Sequence, residues 1–267
     1  MTLRTVTATR YVTPLREGGS LPAIIEANDD GMYVLKFRGA GQGPKALIAE
    51  LVAGELARAL GLAVPELVFV ELDGGLARTE PDPEIQSLIR DSAGLNLALD
   101  YLPGSITFDP IAERIDVELA SAIVWFDGLV TNVDRTPRNA NMLMWHRKLW
   151  LIDHGASLYF HHTWTNYLER SRDSFPNIKE HVLLPFTSEV SLREVDEKMI
   201  RTITPETISD IINLVPDEWL RVQSGAGAPP FAEAADYRSA YIGYLEKRLK
   251  APRVFLEEAI RARTLSI

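Results

Sequence analysis

The chain has 267 residues, no cysteine and a formal charge of −9 at pH 7, enough for one large domain or two lobes with real cores, without disulfides or thiolate metal sites. The acidic balance argues against direct nucleic-acid binding, which draws mainly on lysine and arginine. No apolar run reaches the length of a membrane span, and residues 1–10 lack a basic start, an apolar core and a small-residue cleavage site, so the expected address is cytoplasmic.

Residues 5–13 alternate and are rich in β-branched side chains, and 22–27 and 32–37 form two more strand-like runs around the turn Asn28-Asp29-Asp30-Gly31; together they read as a three-stranded antiparallel meander. Gly18 and Gly19 interrupt it. They are either a plain hairpin loop or a lid whose backbone N–H groups approach nucleotide phosphates. Lys36 lies between apolar neighbours in Val34-Leu35-Lys36-Phe37, where an unpaired charge is costly. Its partner is expected on the next helix, residues 45–60, which is apolar at Leu47, Ile48, Leu51, Val52, Leu56 and Leu60 and stops at Gly61. Glu50 and Glu55 are the candidates, Glu50 being preferred.

Residues 65–71 and 76–79 read as two further strands joined by Asp73-Gly74-Gly75, and 95–101 as a strand running into Leu102-Pro103-Gly104-Ser105. An almost continuous apolar helix follows over 116–130, expected to be a buried pillar, with Asp127 placed to fasten the loop beyond it.

That loop carries the chemistry. Asp134 stands five residues before Asn139, with Arg135 between, and a short hairpin over 142–145 and 149–152 then delivers Asp153, followed by His154 and Gly155. Phosphoryl transfer asks the protein to position a hydroxyl and neutralise phosphate charge. One carboxylate to receive the proton, plus a carboxamide and a second carboxylate to hold Mg²⁺, suffice. Asp134, Asn139 and Asp153 match those roles, and Asn141 is a second candidate amide that the five-residue spacing disfavours. Arg135 is expected to tie the loop down rather than to meet phosphate.

Residues 157–185 are irregular and are read as part of the acceptor site, with Ser157, Thr163, Thr165, Ser171 and Ser174 as possible autoregulatory phosphate acceptors. His161-His162 lack a third ligand at zinc spacing. Helices are expected over 192–201, 205–214, 216–222, 231–249 and 252–264, with 224–230 as a surface connector.

The run TNVDRTPRNANML followed by LIDHG resembles the HipA-like kinases and, more distantly, the phosphoinositide 3-/4-kinase group. Thr136 replaces the usual His, His154 replaces the usual Phe, and no Ala-Pro-Glu triplet follows. The resemblance implies an α+β, two-lobed protein-kinase-like fold: an antiparallel β-sheet N-lobe with one main helix in residues 1–102, and a mostly α-helical C-lobe in 103–267. It implies ATP and Mg²⁺ as cofactors, with Gly18, Gly19, Lys36 and the backbone of Leu99, Asp100, Tyr101 and Leu102 around the nucleotide. Asp134 would be the base, Lys36 the phosphate clamp, Glu50 its partner, Arg135 an adjoining support, and Asn139 and Asp153 the metal ligands. The residues alone imply a hydroxyl acceptor, and the resemblance makes it Ser or Thr of a protein. A lipid or small-molecule kinase, a nucleotide-binding pseudokinase and a nucleotidyl transferase are the alternatives.

Overall fold

Strand β1 (Thr5–Pro14) pairs antiparallel with β2 (Ala23–Ala27), and β2 with β3 (Met32–Lys36), in the register Ala23↔Leu35 to Glu26↔Met32. The turn between β2 and β3 is tied by Gly31 N–H, which donates to Asp29 Oδ1 at 3.1 Å, a local bond of the kind that makes Asp a turn residue. This computed structural model describes residues 2–15, 21–41, 43–221 and 231–265. Gly18 and Gly19 lie outside the described residues, as does the connector at 224–230.

Helix α1 (Pro44–Ala59) starts on Pro44, whose missing N–H costs nothing in a first turn. Most of it is buried, including Glu50 and Glu55, because it is enclosed between the strands on one side and helices of the C-terminal half on the other. Strands β4 (Leu67–Leu72) and β5 (Gly94–Asp100) complete the first sheet in the order β1-β2-β3-β5-β4. The expected antiparallel sheet needs one correction: β4 returns to β1 in parallel, with Val6 opposite Val70, and closes a five-stranded barrel. Ile25, Leu35, Val68, Val70 and Ala98 fill its interior. Leu97 and Leu99, on the other face of β5, pack toward α1, and strand alternation puts Lys36, opposite Leu97, on that same outer face.

Residues 76–79 are not a strand. They belong to a 3-10 turn, Gly74–Thr79, opened by the Asp73 side chain accepting from Gly75 N–H at 2.7 Å. Helix α2 (Pro83–Asp91) follows, capped by Asp82, which accepts from Glu84 N–H at 3.0 Å. Its signal was present: an Asp-Pro start and apolar Ile85, Leu88 and Ile89 at helical spacing.

A second sheet, β6-β7-β8, consists of β6 (Ile106–Thr107), β7 (Met142–Trp145) and β8 (Lys148–Leu151). The β7–β8 turn has two residues, His146 and Arg147, with φ of 48° and 61°, as a type I′ turn requires; Lys148 thus belongs to β8 rather than to the turn. Between β6 and β7, helix α3 (Val117–Val130) is buried from Ala120 to its end and forms the predicted pillar. Around it lie α4 (Tyr167–Arg170), α5 (Glu189–Thr202), α6 (Pro205–Ile212), α7 (Asp217–Arg221), α8 (Ala234–Leu249) and α9 (Val254–Leu265). One apolar core runs from α1 through α3 to α9. Where α7 meets the barrel, the Trp219 ring lies edge-on to Phe69 at 5.7 Å and its Nε1 donates to Leu95 O at 3.3 Å. No helix among the described residues is long and apolar enough to cross a membrane.

Candidate active site

Helix α3 ends on Thr131 in the left-handed region, φ 55°, and hands the chain to a loop built around one buried carboxylate. Asp127 accepts from Arg135 Nε at 2.5 Å, His181 Nε2 at 2.8 Å and Asn132 Nδ2 at 3.0 Å. Burial pushes its pKa up, but the Arg135 charge and the His181 bond outweigh burial and hold it at about 2. Arg135, also wholly buried, donates onward through Nη1 to Asn141 O at 2.5 Å. Its guanidinium therefore spans the loop from the helix end to the start of β7. Both partners of this ion pair are wholly buried, with Arg135 turned toward Asp127 and the loop backbone.

The stretch between is a miniature hairpin. Thr136 and Asn139 exchange both backbone hydrogen bonds at 3.0 Å, with Pro137-Arg138 at the tip. Asn132 Oδ1 accepts from Asp134 N–H at 3.1 Å and fixes the other flank. Asp134 Oδ2 then accepts from Asn139 Nδ2 at 2.8 Å and from Asn141 Nδ2 at 3.4 Å. The two amides differ in support: Asn139 is exposed, whereas Asn141 is buried and its carbonyl accepts from Ile152 N–H at 3.0 Å. Asn141 is thus pinned beside the residue that precedes Asp153.

Asp153 leaves β8 with φ 55°, a conformation non-glycine residues rarely hold without a local reason. Its Oδ1 accepts from Lys36 Nζ at 2.6 Å across 117 residues of sequence. Glu50 Oε2 lies 3.8 Å from the same ammonium. The Lys36 side chain is 11% exposed and Glu50 is 2%, against 38% for Asp153, so the acid on the loop is the one that faces solvent. Burial works against the Lys36 charge, yet Glu50, Asp153 and Asp134 together raise its pKa. For Glu50 burial likewise opposes ionisation, and the Lys36 charge followed by the His154 bond carry its pKa down to about 2.

Lys36, Glu50, Asp153, Asp134 and the two Asn side chains accordingly form one cluster. Glu55 does not join it; its ion pair is with Arg58 at 3.4 Å. Of the four residues expected along the adenine edge, Leu99 is buried opposite Val34, while Asp100 N–H donates to Glu66 O at 2.8 Å and Tyr101 N–H to Met32 O at 3.0 Å. Those two donors are engaged inside the barrel, leaving Leu102 as the residue at the exit of β5. Ser157 and Ser171 are buried, unlike Thr163, Thr165 and Ser174. His161 is wholly buried with Nδ1 2.8 Å from Tyr241 Oη, and burial holds it neutral. Sequence reading missed His181 and Asn132 as partners of Asp127; nothing near His181 in sequence announces a contact 54 residues back.

A strand lysine paired with a helix glutamate, facing two acidic loops across the seam between a β-barrel and a helical bundle, is a kinase-type arrangement. A family model described as HipA-like kinase matches residues 9–233, and the chain belongs to that family. Among solved structures, it is similar to the Helicobacter pylori proinflammatory kinase CtkA, at 15% identity over 92% of this chain and 95% of that one, with a TM-score of 0.53. It is also similar to the Golgi casein kinase with Mn and ADP bound, at 12% identity over 98% of this chain and 73% of that one, with a TM-score of 0.52. At these identities the two likenesses speak for the fold. No curated protein matches the sequence.

Proposed function

We propose that this chain transfers the γ-phosphoryl group of ATP, with Mg²⁺, to the hydroxyl of a Ser or Thr side chain on a protein. The observation that carries the reading is the Lys36–Asp153 contact at 2.6 Å with Glu50 and Asp134 around it. Two acids contact one ammonium there and a third, Asp134, adds to the same field, a formal surplus of negative charge that suits a divalent cation.

The donor set fits Mg²⁺ in kind. Asp153 and the Asn139 or Asn141 amide offer hard oxygen ligands, and no group of three His, Cys, Asp or Glu among the described residues closes a metal cage of its own. That matches an ion which binds through one or two carboxylates and completes its shell with phosphates and water. The spacing argument favours Asn139; the anchoring of Asn141 beside Ile152 makes Asn141 the better-supported ligand. When bound, Mg²⁺ supplies charge neutralisation for the phosphates.

The remaining work belongs to side chains of this chain. Asp134 receives the acceptor hydroxyl's hydrogen bond and takes its proton as the new phosphorus–oxygen bond forms and the bond from the γ-phosphorus to the β–γ bridging oxygen breaks, with ADP as the leaving group. Its carboxylate is already oriented by the Asn139 and Asn141 donors. Lys36 orients phosphate oxygens and Glu50 holds Lys36 in place. Arg135 supports the loop through Asp127. Adenine lies at the exit of β5, with the backbone around Leu102 reading its edge. Residues 1–102 then form the nucleotide-binding lobe and 103–267 the catalytic lobe of a two-lobed kinase domain. A cytoplasmic setting supplies both ATP and Mg²⁺. The protein acceptor rests on family membership rather than on the geometry of the cluster.

The test is incubation with Mg²⁺ and γ-labelled ATP, with and without cell lysate, followed by mass spectrometry of each labelled species. Label on Ser or Thr of a protein supports the reading. Label on lipid or a small molecule replaces the acceptor class, and no label from a nucleotide-binding chain replaces the kinase with a binding module.

A further inference from the structure

His154 sits at the centre of the turn after β8, where the resemblance calls for phenylalanine, and its ring is wholly buried. One side of the ring meets Phe126 of α3, centroids 6.0 Å apart and planes at 76°. The other side presents Nδ1 to Glu50 Oε1 at 3.4 Å. With Glu50 held as a carboxylate, Nδ1 carries the hydrogen and donates. The opposite nitrogen, Nε2, has no hydrogen-bond partner among the described residues.

Glu50 is therefore shared. Its Oε1 faces His154, and its Oε2 faces Lys36 at 3.8 Å without a hydrogen bond of its own among the described residues. The turn lies against α1 at Gly155, where an added Cβ would be in ordinary contact with Ala46 O at 3.6 Å and Glu50 Oε2 at 3.7 Å. A phenylalanine at 154 would fill the same space and keep the Phe126 contact. It would also remove the ring N–H from the Glu50 carboxylate, leaving it the Lys36 ammonium at 3.8 Å and the backbone N–H of residue 154.

We propose that His154 is a positioning residue, which holds the Glu50 carboxylate, and with it α1, in register with Asp153 so that Lys36 stays set between the two acids. The proposal rests on the kinase reading above and adds to it a direct hydrogen bond from the loop bearing Asp153 to α1. It gives His154 no contact with nucleotide or acceptor.

A packing role and a positioning role make opposite forecasts for two variants. His154→Phe keeps an aromatic ring and removes a buried, unpartnered nitrogen. His154→Asn loses the ring but carries an amide N–H close to where Nδ1 stood. If His154 positions Glu50, the Phe variant melts at or above the native temperature yet turns over about tenfold more slowly, the effect of losing one long hydrogen bond to a charged group. Its KM for ATP stays within about threefold. The Asn variant melts lower yet keeps turnover within about threefold of native. In a Glu50→Gln background the His and Phe forms turn over equally, since the bond being tested is already weakened. On nucleotide-free protein, amide hydrogen exchange in α1 is faster in His154→Phe than in the native chain or His154→Asn.

Native turnover together with native α1 exchange in His154→Phe would overturn the proposal, and so would equal slowing of that variant in both Glu50 backgrounds. If the native chain transfers no phosphate at all, the kinase reading fails. The exchange comparison still decides the case of His154, with unchanged α1 protection in the Phe variant counting against it.

Discussion

Replacing Lys36 with methionine isolates the electrostatic core of the site. The change keeps most of the apolar stem and removes the ammonium, leaving Glu50 as a buried carboxylate with only His154 beside it. The drop of the Glu50 pKa from an ordinary 4.5 to about 2 corresponds to about 3 kcal/mol of stability at neutral pH. That agrees with the ~3 to 5 kcal/mol lost when one partner of a buried ion pair is removed. The sign follows from the direction of the shift: with a folded-state pKa below the unfolded one, this stability is present in full above 4.5 and fades as the pH falls toward 2. In Lys36→Met, burial instead raises the Glu50 pKa, so that contribution reverses. Urea unfolding of the two chains at pH 7 and pH 4 should show a deficit of more than about 3 kcal/mol at pH 7 that narrows at pH 4. Equal stability at pH 7, or a deficit that widens on acidification, would refute the reasoning.

Asp134→Ala should lower phosphoryl transfer by about a hundredfold or more, the usual weight of a general base, while calorimetry finds ATP affinity within about threefold of native. Asp153→Ala should instead weaken ATP binding in the presence of Mg²⁺ and leave binding in EDTA unchanged, because its carboxylate is needed for the metal-dependent part. Asn141→Ala should raise the Mg²⁺ concentration for half-maximal turnover more than Asn139→Ala does, as a Mg²⁺ titration of each variant will read. Arg135→Met strands the buried Asp127 carboxylate and should cost about 3 kcal/mol or more in thermal or urea unfolding; a surface-like loss of a few tenths would contradict its assigned place.

The parts of this site that could be read from sequence are those where chemistry dictates residue type and spacing together. Asp134 and Asn139 lie five residues apart on one loop, Asp153 ends a short hairpin, and Lys36 is a charge in an apolar strand that demands a partner one helix away. Glu50 and Glu55 were told apart only by position, and the structure resolves them by direction: Glu50 faces Lys36 and Glu55 faces Arg58. What stayed hidden depends on long-range pairing. The parallel β1–β4 seam joins Val6 to Val70 and leaves no local periodic trace, since a strand reads the same whichever neighbour it takes. The turn at Gly74–Thr79 formed because Asp73 satisfied Gly75 N–H locally, a competition that short β-like runs often lose. His181 reaches Asp127 through tertiary folding alone. Asn141 was visible, but its support by Ile152 N–H needs the β7–β8 register to be known.

The account stands on one convergence: Lys36, Asp134 and Asp153 serving a single nucleotide and its metal ion. A crystal structure of the chain with Mg²⁺ and a non-hydrolysable ATP analogue measures this directly. The prediction is an ion about 2.1 Å from an Asp153 oxygen and an Asn amide oxygen, with Lys36 on the phosphates and the γ-phosphate turned toward Asp134. A nucleotide bound elsewhere, or an ion that leaves Asp153 uncoordinated, would contradict it.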